Sequence, residues 1–354
     1  MIQTNSNFTA FFGNHQKSPE SALHTPCMAV LSTALPSSAR SQFLPGPSAS
    51  PSAALAQIAK HQPLYFSIKS LRVAVSITDR EPRRIFSVTK ASSVDMEAVG
   101  KGHGEGKREV KVFDSEEEMA VSLAEYTAEL SKKFTAERDV FTVALSGGSL
   151  IKSMRKLLVP PYIGSVDWAK WHVFWADERV VPKDHEDSNY KLAYDGFLSK
   201  VPIPAEHVHG MNDALAAEGA ADDYERLVKN LVARGVVNIS VATKLPKFDL
   251  MLLGMGPDGH VASLFPGHPL VKEKEKWVTF IKDSPKPPPE RITLTFPVIN
   301  SCAHVAVVAA GTGKADAVHL ALGHRQDHPM LPVQMISPME EMAWFLDQGA
   351  ASKL

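Results

Sequence analysis

Residues 248–269 read FDLMLLGMGPDGHVASLFPGHP, and this stretch decides the fold of the chain. Its apolar run at 250–253 is too short for a helix of ordinary length and ends at a glycine, so it predicts a buried strand. The glycine-rich turn at 254–259 leaves backbone N–H groups unshielded. Asp258 and His260 follow with one glycine between them. A titratable imidazole just past the carboxyl end of a strand lies where open α/β sheets bind their ligands.

The glycines of this turn also match the dinucleotide-binding pattern G-x-G-x-x-G, which is a weak signal on its own. Pro257 and Asp258 fill its variable positions, and the carboxylate would lie where a pyrophosphate binds. Pro266 and Pro269 leave little room for the helix that such a site needs. The context therefore disfavours a nicotinamide cofactor, and the simpler alternative is a tight turn with a packed histidine.

Length and composition exclude several classes of protein. The chain has 354 residues and a net charge of −1, so it lacks the excess of positive charge that is typical of nucleic-acid-binding proteins. Its 44% hydrophobic content is enough for a large core, and no stretch approaches the ~20 apolar residues of a membrane span. Cys27 and Cys302 lie in segments of very different composition, which disfavours a structural disulfide. We expect neither nucleic acid nor a membrane as partner.

Both ends of the chain resemble organelle-targeting signals. Residues 1–92 are rich in Ser, Ala and Pro, and Glu20 and Asp79 are the only acids before Arg80. This composition is typical of an organelle transit peptide, and the scarcity of arginine favours chloroplast over mitochondrion. We interpret residues 1–92 as a transit peptide and disordered linker. Residues 352–354, Ser-Lys-Leu, match a peroxisomal address, so import receptors of both organelles are expected partners.

Strand-like and helix-like segments alternate along the rest of the chain. Period-two or short apolar segments predict strands at residues 109–113, 141–145, 171–176, 249–254, 291–296, 304–310, 333–336 and 344–346. Helical spacing and capping residues predict helices at about 115–130, 150–158, 187–198, 213–234 and 315–322. The alternation predicts an α/β fold with an open, mainly parallel, doubly wound sheet and helices on both faces. We expect one domain at residues 109–350, with an exposed proline-rich loop at 285–289.

Four loops follow predicted strands, at residues 146–149, 177–182, 254–260 and 311–314. In a parallel sheet such loops gather at one edge. The first loop is a phosphate cradle in outline, because N–H groups and hydroxyls would converge at a helix start, although an ordinary turn explains it equally well. The other loops add the side chains Asp177, Arg179, Asp258, His260 and Lys314. Together they predict a site for a phosphorylated substrate and one proton transfer.

His260 is the candidate general base. An imidazole with a pKa near about 6.5 can take a proton at neutral pH, and a neighbouring carboxylate can fix its tautomer. A metal site is disfavoured, since only His268 follows nearby and prolines separate the two histidines. Ser146 and Ser149 do not fit the G-x-S-x-G frame of a serine nucleophile. Water activated by His260 is the simplest chemistry, and we expect no metal or redox cofactor.

Six motifs occur in order over about residues 110–346: LSGGS at 145–149, WADERVVP at 175–182, DSNY at 187–190, GMGPDGHVASLFP at 254–266, RITL at 291–294 and GTGK at 311–314. Together they resemble the 6-phosphogluconolactonases, most closely the plant plastid or peroxisomal type. The resemblance implies hydrolysis of 6-phospho-D-glucono-1,5-lactone to 6-phosphogluconate in the oxidative pentose phosphate pathway. It also implies the open fold shared with glucosamine-6-phosphate deaminase and ribose-5-phosphate isomerase.

The same resemblance implies a role for each site residue. His260 would be the base, with Asp177 and Asp258 as its polar neighbours. Substrate would be held by three cations and the first loop, that is by Arg179, Arg291, Lys314, Ser146, Gly147, Gly148 and Ser149.

Two other functions of the same fold remain open. An amino-sugar-phosphate deaminase or isomerase needs further acid–base groups, and deaminases carry a Glu before the following proline, where residues 261–265 contain no acid. A non-catalytic sugar-phosphate sensor would add a helix-turn-helix and a basic face, and neither is visible. The sequence therefore favours the lactonase.

Overall fold

The computed structural model describes residues 92–94, 107–323 and 329–354 of the chain. Apart from residue 92, the predicted transit segment lies outside the described residues, and so does Cys27. No helix within the described ranges is long and apolar enough to cross a membrane.

The described residues form strands and helices in alternation. The strands are β1 (Ser92–Val94), β2 (Lys107–Phe113), β3 (Phe141–Leu145), β4 (Trp171–Trp175), β5 (Asp177–Arg179), β6 (Asn238–Ile239), β7 (Pro246–Lys247), β8 (Leu250–Gly254), β9 (Val278–Ile281), β10 (Arg291–Leu294), β11 (His304–Ala309) and β12 (Glu341–Asp347). The α-helices are α1 (Glu116–Arg138), α2 (Ser149–Met154), α3 (Tyr162–Ser165), α4 (Asn189–Gly196), α5 (Ala217–Ala233), α6 (Phe296–Ser301) and α7 (Ala315–Leu322).

The main sheet is open and mainly parallel, as the alternation of elements predicts. Its strand order is β1-β2-β12-β11-β8-β3-β4, with β1 antiparallel to β2 and the other neighbours parallel. The next strand in the sequence, β4, pairs with one edge of β3, and β8 later pairs with the other edge of β3. The order therefore reverses between β3 and β8. Open α/β sheets bind ligands beyond the carboxyl ends of the strands at such a reversal.

Both faces of the sheet are covered, which confirms the doubly wound prediction. Leu250 and Leu252 pack in a buried cluster with side chains of α1, α2 and α4. Met251 and Leu253 point to the opposite face and pack with side chains of α5, α6 and α7. Since side chains alternate along a strand, a run that is apolar at every position indicates burial on both faces.

Two predicted strands differ in the structure. Residues 291–296 were expected in the main sheet, but β10 ends at Leu294 and pairs antiparallel with β5 and β9 in a separate three-stranded sheet. A proline in the first turn of α6 starts that helix at Phe296 instead. The strand predicted at 333–336 is wrong, because Pro332–Met335 is a 3₁₀ helix. The Gln334 side chain accepts a hydrogen bond from the Leu331 N–H, which favours the turn.

Candidate active site

His260 and Asp258 form a hydrogen-bonded pair on the turn that follows β8. Their turn closes on itself, since the Gly256 N–H donates to the His260 carbonyl at 2.9 Å. His260 Nδ1 lies 2.5 Å from Asp258 Oδ1. An ionised carboxylate only accepts, so Nδ1 carries the proton of a neutral ring and leaves the lone pair on Nε2. The His260 side chain is 17% exposed, and Nε2 has no hydrogen-bond partner among the described residues.

The charges around this pair keep Asp258 ionised and His260 neutral. Burial would raise the pKa of Asp258, but the hydrogen bond with His260 and the hydrogen bond and charge of Lys286 outweigh it and lower that pKa to about 2. Burial lowers the pKa of His260, and Asp258 opposes the change while the charge of Lys286 adds to it. A neutral imidazole oriented by a carboxylate is suited to general-base catalysis.

Lys286 was not predicted as a site residue. Its Nζ lies 3.0 Å from Asp258 Oδ1 and 3.2 Å from His260 Nδ1. The sequence showed only an exposed proline-rich loop at 285–289. The available signal was the lysine between prolines, five residues before Arg291, on the connection that leads into β10.

Asp177 belongs to the same site but makes no hydrogen bond to the imidazole. Its Oδ2 accepts a hydrogen bond from Ser263 Oγ at 2.8 Å, and Arg291 Nη1 donates to the same hydroxyl at 3.5 Å. Ala262 has a left-handed φ of 49°, which is costly for a residue with a Cβ and aims Ser263 toward β5. Asp258 is therefore the carboxylate that orients His260, while Asp177 is bridged by Ser263 to Arg291.

The two arginines of the site are partners in the small sheet. Arg291 on β10 is paired in register with Arg179 on β5. Arg291 is 3% exposed, and its guanidinium mainly contacts backbone carbonyls of the proline-rich loop. Arg179 Nη1 donates to the Asp187 carbonyl at 2.9 Å, whereas its buried Nε has no partner. An unpaired buried N–H of a cation is a candidate contact for an anionic ligand.

Glu178 holds the start of α4 beneath this sheet. Its buried carboxylate accepts hydrogen bonds from the N–H groups of Arg179, Asn189 and Tyr190. Burial raises its pKa to about 7, although these N–H groups oppose the change. Acidic groups favour a helix N-terminus, so Glu178 is a structural residue that joins β5 to α4.

Only part of the predicted phosphate loop is free. Ser146 Oγ accepts a hydrogen bond from the Gly254 N–H at 2.7 Å and donates to the Leu252 carbonyl, so the protein itself uses this hydroxyl. A Cβ on Gly147 would lie 1.9 Å from Asn189 Oδ1, so Gly147 is required for close packing. Gly148 and Ser149 are exposed at the start of α2. These two residues form the open part of the cradle.

Lys314 completes the group of cations. It is half-buried, and its ammonium has no hydrogen-bond or ion-pair partner within the described part of the chain. Burial lowers its pKa, with the charge of Lys286 acting the same way and that of Asp258 opposing both. The preceding loop is held by Asp347, whose carboxylate accepts the Gly311 N–H at 2.9 Å. Lys314 therefore presents an unpaired positive charge beside the His260–Asp258 pair.

Among residues 107–323 and 329–354, no group of three or more His, Cys, Asp or Glu side chains is arranged to hold a metal ion. A surface cavity of about 450 Å³ lies beside β9, between His268 and Asp283, and contains none of the predicted site residues.

Comparisons with known proteins assign the family. Residues 114–344 match the family described as glucosamine-6-phosphate isomerases/6-phosphogluconolactonase. The chain is 68% identical over 248 residues to the probable 6-phosphogluconolactonase 4, chloroplastic, of Oryza sativa subsp. indica, covering 70% of this chain and 76% of that protein. It is 59% identical over 265 residues to the 6-phosphogluconolactonase 3, chloroplastic, of Arabidopsis thaliana, covering 75% and 80%.

Solved structures share the fold. The 6-phosphogluconolactonase of Trypanosoma brucei is 26% identical with a TM-score of 0.61, covering 69% of this chain and 98% of that one. That of Thermotoga maritima is 28% identical with a TM-score of 0.56, covering 68% and 100%. A monomeric glucosamine-6-phosphate deaminase, 19% identical with a TM-score of 0.55 over 69% of this chain and 99% of that one, shares the fold alone. This chain belongs to the glucosamine-6-phosphate isomerase/6-phosphogluconolactonase family.

Proposed function

We propose that this chain hydrolyses 6-phospho-D-glucono-1,5-lactone to 6-phosphogluconate, with His260 as general base. One observation carries the proposal. His260 Nδ1 is held on the ionised Asp258, while Nε2 is free at a rim that also bears unpaired cationic groups. The names and the identity of the plant relatives support the same activity.

The substrate is held mainly through its phosphate. Lys314 offers a point charge, and the buried Nε of Arg179 offers an unpaired donor. Gly148 and Ser149 add exposed backbone and hydroxyl groups at the start of α2. These contacts leave the lactone carbonyl to face His260, since the charged end of the substrate is anchored on the surrounding loops.

The hydrolysis uses one water and one proton relay. His260 Nε2 takes a proton from the water as its oxygen bonds to the carbonyl carbon. The tetrahedral intermediate then collapses, the bond between that carbon and the ring oxygen breaks, and the imidazolium gives its proton to the ring oxygen. The carboxylic acid product ionises in solution. Asp258 stabilises the imidazolium throughout, and a nearby ammonium or arginine stabilises the oxyanion.

The test is lactone hydrolysis by the purified chain, measured against the spontaneous rate with a chelator present. We expect His260→Gln to lower kcat by roughly 10²–10⁴-fold with little change in KM. His319→Gln, an exposed histidine on α7, is the matched control and should behave as the wild type. A His260→Gln enzyme of near-normal rate would exclude His260 as the base. Turnover of glucosamine 6-phosphate in place of the lactone would identify a deaminase.

We also propose that the protein is imported into plastids, and that its Ser-Lys-Leu end directs a fraction to peroxisomes. The chloroplastic names of the plant relatives and the acid-poor amino-terminal composition support the first part. Fluorescent fusions at either end separate the two addresses, because each fusion masks one of them. We expect the amino-terminal fusion to lose the plastid signal. We expect the carboxyl-terminal fusion to lose the peroxisomal signal. A cytosolic signal from the carboxyl-terminal fusion would contradict plastid import.

A further inference from the structure

The connection between β9 and β10 forms an arm, residues 282–290, that carries Lys286 to the catalytic pair. Lys286 Nζ lies 3.0 Å from Asp258 Oδ1 and 3.2 Å from His260 Nδ1. The side chains of Lys286 and Asp258 are about one-third exposed, so their ion pair is partly shielded from solvent. The ammonium contacts the Nδ1 side of the imidazole. The water of the proposed reaction would be activated at Nε2, on the other side of the ring.

Arg291 clamps this arm from behind. Its Nη2 donates to the carbonyls of Lys286 and Pro287 at 2.8 Å and 2.9 Å, and its Nε donates to the Pro288 carbonyl at 3.0 Å. Its Nη1 donates to Ser263 Oγ at 3.5 Å. Three consecutive residues of the arm thus accept hydrogen bonds from one guanidinium. Because the donors of a guanidinium have a fixed planar geometry, these bonds define the path of the arm.

The arm is also braced within itself. Ser284 Oγ donates to the Lys286 carbonyl at 2.9 Å and accepts from the Lys286 N–H at 3.2 Å. The Ser284 N–H donates to the Pro289 carbonyl at 3.2 Å. The backbone of Lys286 is thus bound on both sides, and prolines on either side of it restrict the chain further. Such bracing at an exposed loop indicates that the position of its lysine matters.

We propose that Lys286 is a positioning residue for His260 in the hydrolysis, and that Arg291 acts by holding Lys286 in place. This proposal rests on the proposed function of the same site. It assigns Arg291 a task other than direct substrate binding, since most of its donors already contact the arm.

The physical effect of Lys286 is on the protonation of His260. A positive charge 3.2 Å from Nδ1 disfavours the imidazolium, and the same ammonium shares Asp258 Oδ1 and so weakens the pull of that carboxylate. Asp177 also faces His260 and favours its charged form, and Lys314 adds positive charge beyond Asp258. Without Lys286 the pKa of His260 should rise, because both of its carboxylate neighbours would act unopposed at close range.

The experiment measures kcat/KM against pH and, separately, titrates His260 by NMR in the ligand-free full chain. The variants are Lys286→Met, Lys286→Arg and, as matched control, Lys282→Met. Lys282 lies on the same arm and is exposed, and its ammonium lies over the ring of Phe280. We expect Lys286→Met to move the acidic limb of kcat/KM and the His260 titration upward by on the order of one pH unit. Lys286→Arg keeps the positive charge and should therefore show little of this shift, and Lys282→Met should show none.

Arg291→Lys tests the second half of the proposal. It should move the acidic limb in the same direction as Lys286→Met, and the double variant should shift no further than Lys286→Met alone. An unmoved limb in Lys286→Met would overturn the proposal. A higher KM at every pH with an unmoved limb would do the same, and would make Lys286 a phosphate ligand. If the wild type fails to hydrolyse the lactone, the proposed function fails, while the NMR titration still judges the role of Lys286.

Discussion

At Gly256 the side chains of His260 and Asp258 occupy the space where a Cβ would lie. A Cβ at this position would meet His260 Nδ1 at 2.0 Å, His260 Cε1 at 2.1 Å and Asp258 Oδ1 at 2.5 Å. The shortest of these falls 1.0 Å below the 3.0 Å that real Cβ contacts respect. The nearby atoms are the ends of side chains, so Gly256→Ala should fold with the imidazole and carboxylate displaced by about 1 Å.

The expected cost of that displacement is catalytic. A shift of about 1 Å in a reacting group lowers turnover on the order of 10²-fold, because the near-attack geometry is lost. We therefore expect Gly256→Ala to lower kcat/KM for lactone hydrolysis by about a hundredfold, with a melting temperature within a few degrees of the wild type. The assay is lactone hydrolysis above the spontaneous rate, together with thermal unfolding.

Gly164→Ala is the matched control, since a Cβ there meets nothing within 4 Å and α3 lies outside the site. It should retain full activity. A Gly256→Ala enzyme with normal kcat/KM would refute the reasoning, since the turn would then have room that the structure does not give it. Loss of folding instead of activity would also refute it, because the clash would not be confined to movable side chains.

Three further predictions follow from other contacts. Arg138→Met should lower the free energy of unfolding by about 3 kcal/mol without loss of activity, measured by urea denaturation. It leaves the buried carboxylate of Asp249 without the Arg138 contact at 2.9 Å. Lys314→Met should raise KM for the lactone by roughly tenfold to a hundredfold, measured by steady-state kinetics, since a charged hydrogen bond to phosphate is lost. Burial lowers the pKa of His172 to about 3 and of His209 to about 4, and the rings contact at 3.0 Å. The unfolded chain therefore binds protons that the fold excludes, and stability present above about pH 6.5 is lost as pH falls toward these pKa values. Between pH 7 and pH 5, His209→Gln should lose roughly 2 kcal/mol less unfolding free energy than the wild type, as measured by urea denaturation at each pH. An equal loss in the two proteins would contradict this prediction.

Much of the scaffold could be predicted from local patterns. The run at 250–253 is apolar at every position, which requires burial on both faces, and the structure places its side chains in two separate cores. Ser115 and Ser188 cap α1 and α4 because their hydroxyls accept helix N–H groups within three residues. These are short-range effects, so the sequence alone contains them.

Contacts between residues that are far apart in the sequence could not be predicted from it. The alternation at 291–296 indicated a strand, which the structure has at Arg291–Leu294, but only tertiary pairing put it against β5 and β9 in a second sheet. Nothing local distinguished Asp177 from Asp258 as the partner of His260, since either could approach the ring. Distance in space decided it, with Asp258 Oδ1 at 2.5 Å from Nδ1 and Asp177 bound to Ser263.

The sequence by itself determined the α/β class and the glycine-rich turn that carries His260, because periodicity, glycine turns and capping act over a few residues. Only the tertiary structure decided which charges meet. Lys286 and His260 are separated by 26 positions along the chain, and Ser263 and Asp177 by 86. Such pairs come together through the packing of whole strands, so their contact depends on the complete fold and not on any single stretch.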